Sequence, residues 1–132
     1  MPVRVMIVDD DEPFRTAISR AMRGRGYTVE EAEDGAQALK AVKARAPDVL
    51  VTDLLMPAGD GVELIGALRS LRPELPIIAM SGRPSLGGLD LLGLASALGA
   101  AAALQKPFSM DELVDAVAAL CRGPQEHATE AG

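Results

Sequence analysis

Aromatic side chains are scarce in this chain. They form 2% of its 132 residues, as two phenylalanines, one tyrosine and no tryptophan. A flavin would have almost nothing to stack against. Cysteine is rarer still: Cys121 stands alone, so no disulfide closes within the sequence, which fits a reducing compartment. The single histidine, His127, lies in a polar stretch near the end. Its isolation argues against most histidine-based catalysis, most metal sites and a phosphohistidine carrier. Positive charge is in deficit, with 13 Lys and Arg against 19 Asp and Glu, a net charge of −6. Phosphate backbones are held by clustered Lys and Arg, so direct nucleic-acid binding is not expected. A long apolar run is missing as well. Leu91 to Leu104 carries no charge over 14 residues, but Gly93 and Gly99 interrupt it. It falls short of the roughly 20 apolar residues that a membrane-spanning helix needs. The start, MPVRVMIVDDD, turns acidic too early for a signal peptide, and a cytoplasmic protein is expected.

What remains is a strict alternation of short apolar runs and amphipathic stretches. Val3 to Val8 reads as a strand buried on both faces. Asp11 is placed to cap a first helix, with Pro13 in its first turn and Phe14, Ala17, Ile18, Ala21 and Met22 on its inward face. Tyr27 to Ala32 reads as a less apolar edge strand. Asp34 opens a second helix, through about Arg45. Val49 to Val51 forms a third strand that runs to Asp53, and Asp60 starts a third helix. Leu75 to Met80 is a fourth strand ending at Ser81. The segment GRPSLGG, residues 82–88, reads as a loop. Asp90 to Leu98 is a fourth helix closed by Gly99, and residues 101–105 make a fifth strand. Ser109-Met-Asp-Glu112 fits a capping box for a fifth helix, with Leu113, Val114, Val117, Leu120 and Cys121 facing inward. Residues 1–122 are thus expected to form one domain, and 123–132 a disordered tail. Five strands alternating with five helices imply an α/β fold with a parallel sheet covered on both faces.

In such sheets, ligands bind beyond the carboxyl ends of the strands. There the first strand delivers Asp9, Asp10 and Asp11, the third Asp53, the fourth Ser81 and the fifth Lys106. Each signal has a bland reading: Asp11 and Asp60 cap helices, and a lone Lys-Pro or Ser is commonly a turn. Their joint placement at four strand ends is the informative feature. Crowded carboxylates repel unless a cation joins them. Oxygen ligands without histidine or thiolate favour Mg²⁺. An acid cluster, a hard cation, a lysine and a hydroxyl make up the equipment of phosphoryl transfer.

VMIVDDDE, VLVTDLLMP, IIAMSG and LQKPF, in this order and at these spacings, resemble the receiver domain of bacterial two-component response regulators, CheY-like and single-domain. The resemblance covers residue 3 to about residue 121. It implies a flavodoxin-like, doubly wound sheet of five strands in the order 2-1-3-4-5. It implies that Asp53 is the phospho-acceptor, taking a phosphoryl group from the phosphohistidine of a histidine kinase or phosphotransfer protein. Asp9, Asp10, Asp53 and the Leu55 backbone carbonyl would hold Mg²⁺. Lys106 and Ser81 would bind the phosphate, and the Lys106–Pro107 bond would be cis. Output would pass by protein contact through the face of helix four, strand five and helix five, with a homodimer among the options. The chain would be no enzyme beyond gaining and losing its own phosphoryl group.

Three departures from the family pattern stand out. The place three residues before the lysine, usually Tyr or Phe, is Ala103, so the usual aromatic switch is absent. The segment from Ser81 to Lys106 is longer than is common. Leu55 and Arg83 occupy the positions that tune water access to the phosphoryl group. Ala103 motivates an alternative, a constitutive receiver-fold adaptor that responds weakly to phosphorylation. An aspartate-based phosphatase would want a second acid where Leu55 stands, and a flavodoxin-type carrier would want a Ser/Thr/Gly phosphate loop after strand one. Leu91, Leu92, Leu94 and Leu98 cover more than one face of helix four, which allows a wide core contact or a partner surface.

Overall fold

The computed structural model describes residues 2–56, 61–83, 85–86 and 89–121. The helix start expected at Asp60, residues 84, 87 and 88 of the expected loop, and the tail at 123–132 lie outside them. Five strands form one parallel sheet: β1 (Arg4–Val8), β2 (Thr28–Ala32), β3 (Val49–Asp53), β4 (Ile77–Ser81) and β5 (Ala102–Gln105). Their order across the sheet is β2-β1-β3-β4-β5. Five helices connect or follow them: α1 (Glu12–Gly24), α2 (Gly35–Ala44), α3 (Gly61–Leu71), α4 (Leu91–Ala97) and α5 (Met110–Cys121). The architecture is the expected flavodoxin-like, doubly wound one.

Successive strand residues point to opposite faces, so each inner strand feeds two cores. Met6, Val8 and Leu50 pack with Ala38 and Val42 of α2, Leu64, Ile65 and Leu68 of α3, and Leu91 and Ala95 of α4. Val5, Ile7, Val49 and Val51 pack with Ile18 and Met22 of α1 and Leu113 and Val117 of α5. Every residue of β3 and β4 is buried, as their unbroken apolar runs require. At the sheet's end, β5 has half-buried alanines and leucine and an exposed Gln105.

The caps form where the sequence places them. Phe14 N–H donates to Asp11 Oδ1 at 3.1 Å, Gln37 N–H to Asp34 Oδ1 at 2.8 Å, and Gly93 N–H to Asp90 Oδ1 at 3.2 Å. The capping box closes both ways, Glu112 N–H to Ser109 Oγ at 3.1 Å and Ser109 N–H to Glu112 Oε1 at 3.3 Å. Gly99 stands at φ +110°, in the left-handed region that ends helices and favours glycine.

Two expectations are corrected. The inward face of α1 is Arg15, Ile18, Ser19 and Met22, with Ala17 exposed and Phe14 and Ala21 half-buried. The stripe is rotated because Arg15 has partners inside, described below. The segment 82–88 is also not all loop. Ser85 and Leu86 pair antiparallel with Asp90 and Leu89 in a two-residue ladder. On α4, Leu91 is buried, while Leu92 and Leu98 lie partly buried against the core, which favours the wide core contact for these three.

Candidate functional site

The parallel register brings the strand ends level. Val8 pairs with Thr52, Asp53 with Met80, and Ser81 with Gln105. Asp9, Asp53, Ser81 and Lys106 therefore stand along one edge, Asp53 and Ser81 as the last residues of β3 and β4, Asp9 and Lys106 one step beyond β1 and β5. Lys106 N–H donates to the Ser81 carbonyl at 2.8 Å, which continues the ladder into the site.

The Asp9 carboxylate is fully buried and satisfied on both oxygens. Oδ1 accepts from the Asp11 N–H at 2.9 Å, and Oδ2 from Lys106 Nζ at 2.9 Å. Asp53 is 8% exposed, and its Oδ2 lies 3.7 Å from Lys106 Nζ. Asp10 is exposed beside them. Burial is the main influence on Asp53 and pushes its carboxyl up to about 6. Lys106 and the Leu55 backbone N–H pull it back down, and the charges of Asp9 and Asp10 raise it further. A strongly desolvated carboxylate next to two others is short of positive charge, and one lysine does not supply it all.

That shortage is the test of fit for a cation. Asp9, Asp10 and Asp53 each offer one oxygen, and these oxygens lie within 4.8 Å of one another. An all-carboxylate donor set of this size suits a hard divalent ion such as Mg²⁺.

Ser81 is buried at the end of β4, yet its hydroxyl is engaged locally. It donates to the Arg83 carbonyl at 2.6 Å and accepts from the Arg83 N–H at 3.1 Å. The Arg83 side chain is exposed, and Ala103 is half-buried opposite Ala79. The Lys106–Pro107 bond is cis.

Four residues at the site carried no signal strong enough to single out from the sequence. The ring face of Phe14 lies 4.1 Å from Lys106 Nζ, and Phe108 meets Phe14 edge-on. Arg15 donates through Nη1 to the Asp9 carbonyl at 2.7 Å and through Nε to Glu31 Oε1 at 3.0 Å. It thereby clamps the end of β1 to the edge strand, which explains a buried arginine on α1. Gly61 begins α3 directly over the acid: a Cβ there would stand 1.9 Å from the Asp53 carbonyl oxygen. Sequence separation hides these contacts, since Phe14 and Arg15 look like ordinary helix residues.

Comparison with known proteins identifies the family. The family model for the response regulator receiver domain matches residues 5–118. The response regulator MprA of a Mycobacterium species is 40% identical over 126 residues, covering 92% of this chain and 52% of that protein. MprA of Mycobacterium tuberculosis is 39% identical over the same length and the same shares. This chain thus spans about half the length of the curated relatives it matches. A solved response regulator structure from Chloroflexus aurantiacus superposes with a TM-score of 0.84 at 32% identity, covering 92% of this chain and 98% of that one. A CheY-like receiver domain protein from Methanospirillum hungatei gives a TM-score of 0.85 at 25% identity, covering 98% and 99%. Among the described residues no helix is long and apolar enough to cross a membrane. With its acid edge, its sheet order and these relatives, the chain belongs to the response regulator receiver domains.

Proposed function

We propose that residues 1–122 act as a phospho-accepting receiver, with 123–132 as a tail, and that Asp53 is the acceptor. The observation that carries this reading is the Asp53 carboxylate itself, nearly buried at a strand end, with a lysine ammonium 3.7 Å away and two further acids beside it. An Asp53 oxygen attacks the phosphorus of a partner's phosphohistidine. A P–O bond forms, the P–N bond breaks, and its electron pair leaves on the imidazole. The product is an acyl phosphate on Asp53. Asp9, Asp10, Asp53 and the Leu55 carbonyl would hold Mg²⁺, which would neutralise charge on the transferring group. Lys106 supplies a second positive charge at the same place. Ser81 closes onto a phosphate oxygen after its hydroxyl leaves Arg83, and Leu55 and Arg83 shape the approach of hydrolytic water.

The chain acts on no substrate other than its own aspartate. Its partners are a histidine kinase or phosphotransfer protein and a downstream protein that reads α4, β5 and α5, with a homodimer as one such partner. The reading places it in the bacterial cytoplasm. The test is incubation with a small phosphodonor and Mg²⁺, followed by intact mass. One phosphoryl group is expected on the parent chain and none on Asp53→Asn; equal uptake by both would sink the reading.

A second reading, a receiver fold that serves as a constitutive adaptor, is favoured by the locally satisfied Ser81 hydroxyl and by Ala103, which has no rotamer to change. Amide exchange with and without beryllofluoride separates the two. Protection changes in α4 and the segment before it speak for the switch, and their absence for the adaptor.

A further inference from the structure

Both phenylalanines of the chain are at the acid edge, although 94 positions separate them in sequence. Phe14 is the third residue of α1, and its backbone N–H is held by the Asp11 cap at 3.1 Å. Its ring is half-buried and presents its face to Lys106 Nζ at 4.1 Å from the centroid. Phe108 stands at 6.1 Å and 80° to it, the edge-to-face arrangement that aligns a positive ring edge with a negative face. The Lys106 side chain is held at its tip, by the buried Asp9 carboxylate at 2.9 Å, while its stem has no partner of its own among the described contacts. It leaves the sheet from the end of the half-buried β5, and a lysine stem has four flexible bonds. Its ammonium contacts Asp9 at 2.9 Å, Asp53 at 3.7 Å and the Phe14 ring face, so a ring and two acids converge on one charge.

We propose that Phe14 is a positioning residue for Lys106: its ring face, braced by Phe108, holds the ammonium over the acids where the phosphoryl charge develops. The proposal rests on the acceptor role of Asp53 for its consequence, though not for its geometry. A ring face attracts a cation through its quadrupole, and more strongly where water is excluded. Removing that attraction lets the ammonium swing away from Asp53 toward solvent, and slows the transfer of charge onto the site. Shape and quadrupole can be separated. Phe14→Leu removes the ring face and keeps an apolar side chain. Pentafluorophenylalanine at position 14 keeps the ring and reverses its quadrupole. Phe14→Tyr restores the natural face.

The experiment follows initial phosphorylation of the full chain by a small phosphodonor with Mg²⁺, together with the NMR shifts of the Lys106 ε-methylene in the unphosphorylated protein. The expected result is a roughly threefold to tenfold slower rate for the leucine and pentafluoro forms, with recovery in the tyrosine form. In the parent chain the Lys106 ε-protons are expected upfield from the ring current, and this displacement is lost in Phe14→Leu. A rate that is unchanged or faster in the pentafluoro form overturns the proposal. So does a slower leucine form when the pentafluoro form keeps the parent rate, because bulk alone would then explain it. If the parent chain takes up no phosphoryl group, the acceptor reading fails, and the NMR shifts alone decide the proposal: an undisplaced Lys106 ε-methylene overturns it.

Discussion

Strands β3 and β5 flank β4 in the same sheet and each leads to a site residue, yet they are built in different ways. All five residues of β3 are buried, and Asp53 is the last of them. In β5 nothing is fully buried, three of its four residues are small or aliphatic, and Lys106 follows its end. Packing fixes the acid of β3: its backbone is locked between β1 and β4, and α3 begins directly above it at Gly61. The lysine of β5 is fixed by what its tip touches, namely Asp9, Asp53 and Phe14. One half of the site is therefore held by the core, and the other by charges and a ring. Breakage of the first should unfold the protein, whereas breakage of the second should leave a folded protein with a misplaced ammonium.

The largest effect is expected on the β3 side. Gly61→Ala drives a methyl into the Asp53 carbonyl, 1.9 Å from its oxygen, and α3 has to move. A loss of about 3 kcal/mol, at the upper end of overpacking effects, is expected in urea unfolding. Leu50→Ala, in the fully buried centre of β3, should cost a similar amount, about 3 kcal/mol. Equal stability of Gly61→Ala and the parent chain would show that α3 starts elsewhere.

On the Lys106 side the effect is smaller and of another kind. Lys106→Met leaves the buried Asp9 carboxylate with the Asp11 amide as its remaining partner among those described. A loss of about 2 kcal/mol is expected, read by thermal melting without Mg²⁺. The comparison sharpens if added Mg²⁺ recovers part of that loss, because a cation then replaces the missing charge.

Asp53→Asn has the opposite sign. Burial raises the Asp53 carboxyl from 3.8 to about 6, so the folded, metal-free chain prefers the protonated acid. The resulting stability is complete below pH 4 and is lost as pH rises through 6. An asparagine does not titrate. The variant should therefore gain on the parent as pH rises from about 4 to about 6, then hold a constant advantage on the order of 2 kcal/mol. Melting curves from pH 4 to 8 check this; an advantage that shrinks with rising pH would contradict it. The smallest effect belongs to β5. Leu104→Ala, half-buried on the edge strand, should cost about 1 kcal/mol or less in the same urea experiment.

Much of this was legible in the chain. The apolar runs marked the strands, and Asp11, Asp34, Asp90 and Ser109 marked the helix starts, because capping is a contact over three residues. The acids, the serine and the lysine at four strand ends were visible for a similar reason: once the strands are placed, their ends are too. The inward face of α1 was misread by one position, because hydrophobicity alone placed Ala17 inside and Arg15 outside. Arg15 is inside because the Asp9 carbonyl and Glu31 meet its guanidinium there, and those partners come from two other strands.

The sequence by itself determined the five sheet strands and five helices, their order along the chain and which residues the sheet edge would present. These follow from periodicity and caps, which act over a few residues. Tertiary structure alone decided how the site is held. Lys106 finds Asp9 across 97 positions, and Phe14, on α1, meets Lys106 and Phe108 from the segment between β5 and α5. Such contacts depend on the direction of side chains brought together by the whole fold, and no local pattern encodes that direction. A chain so poor in aromatics set one phenylalanine against the ammonium and the other against that ring, and only the folded arrangement reveals it.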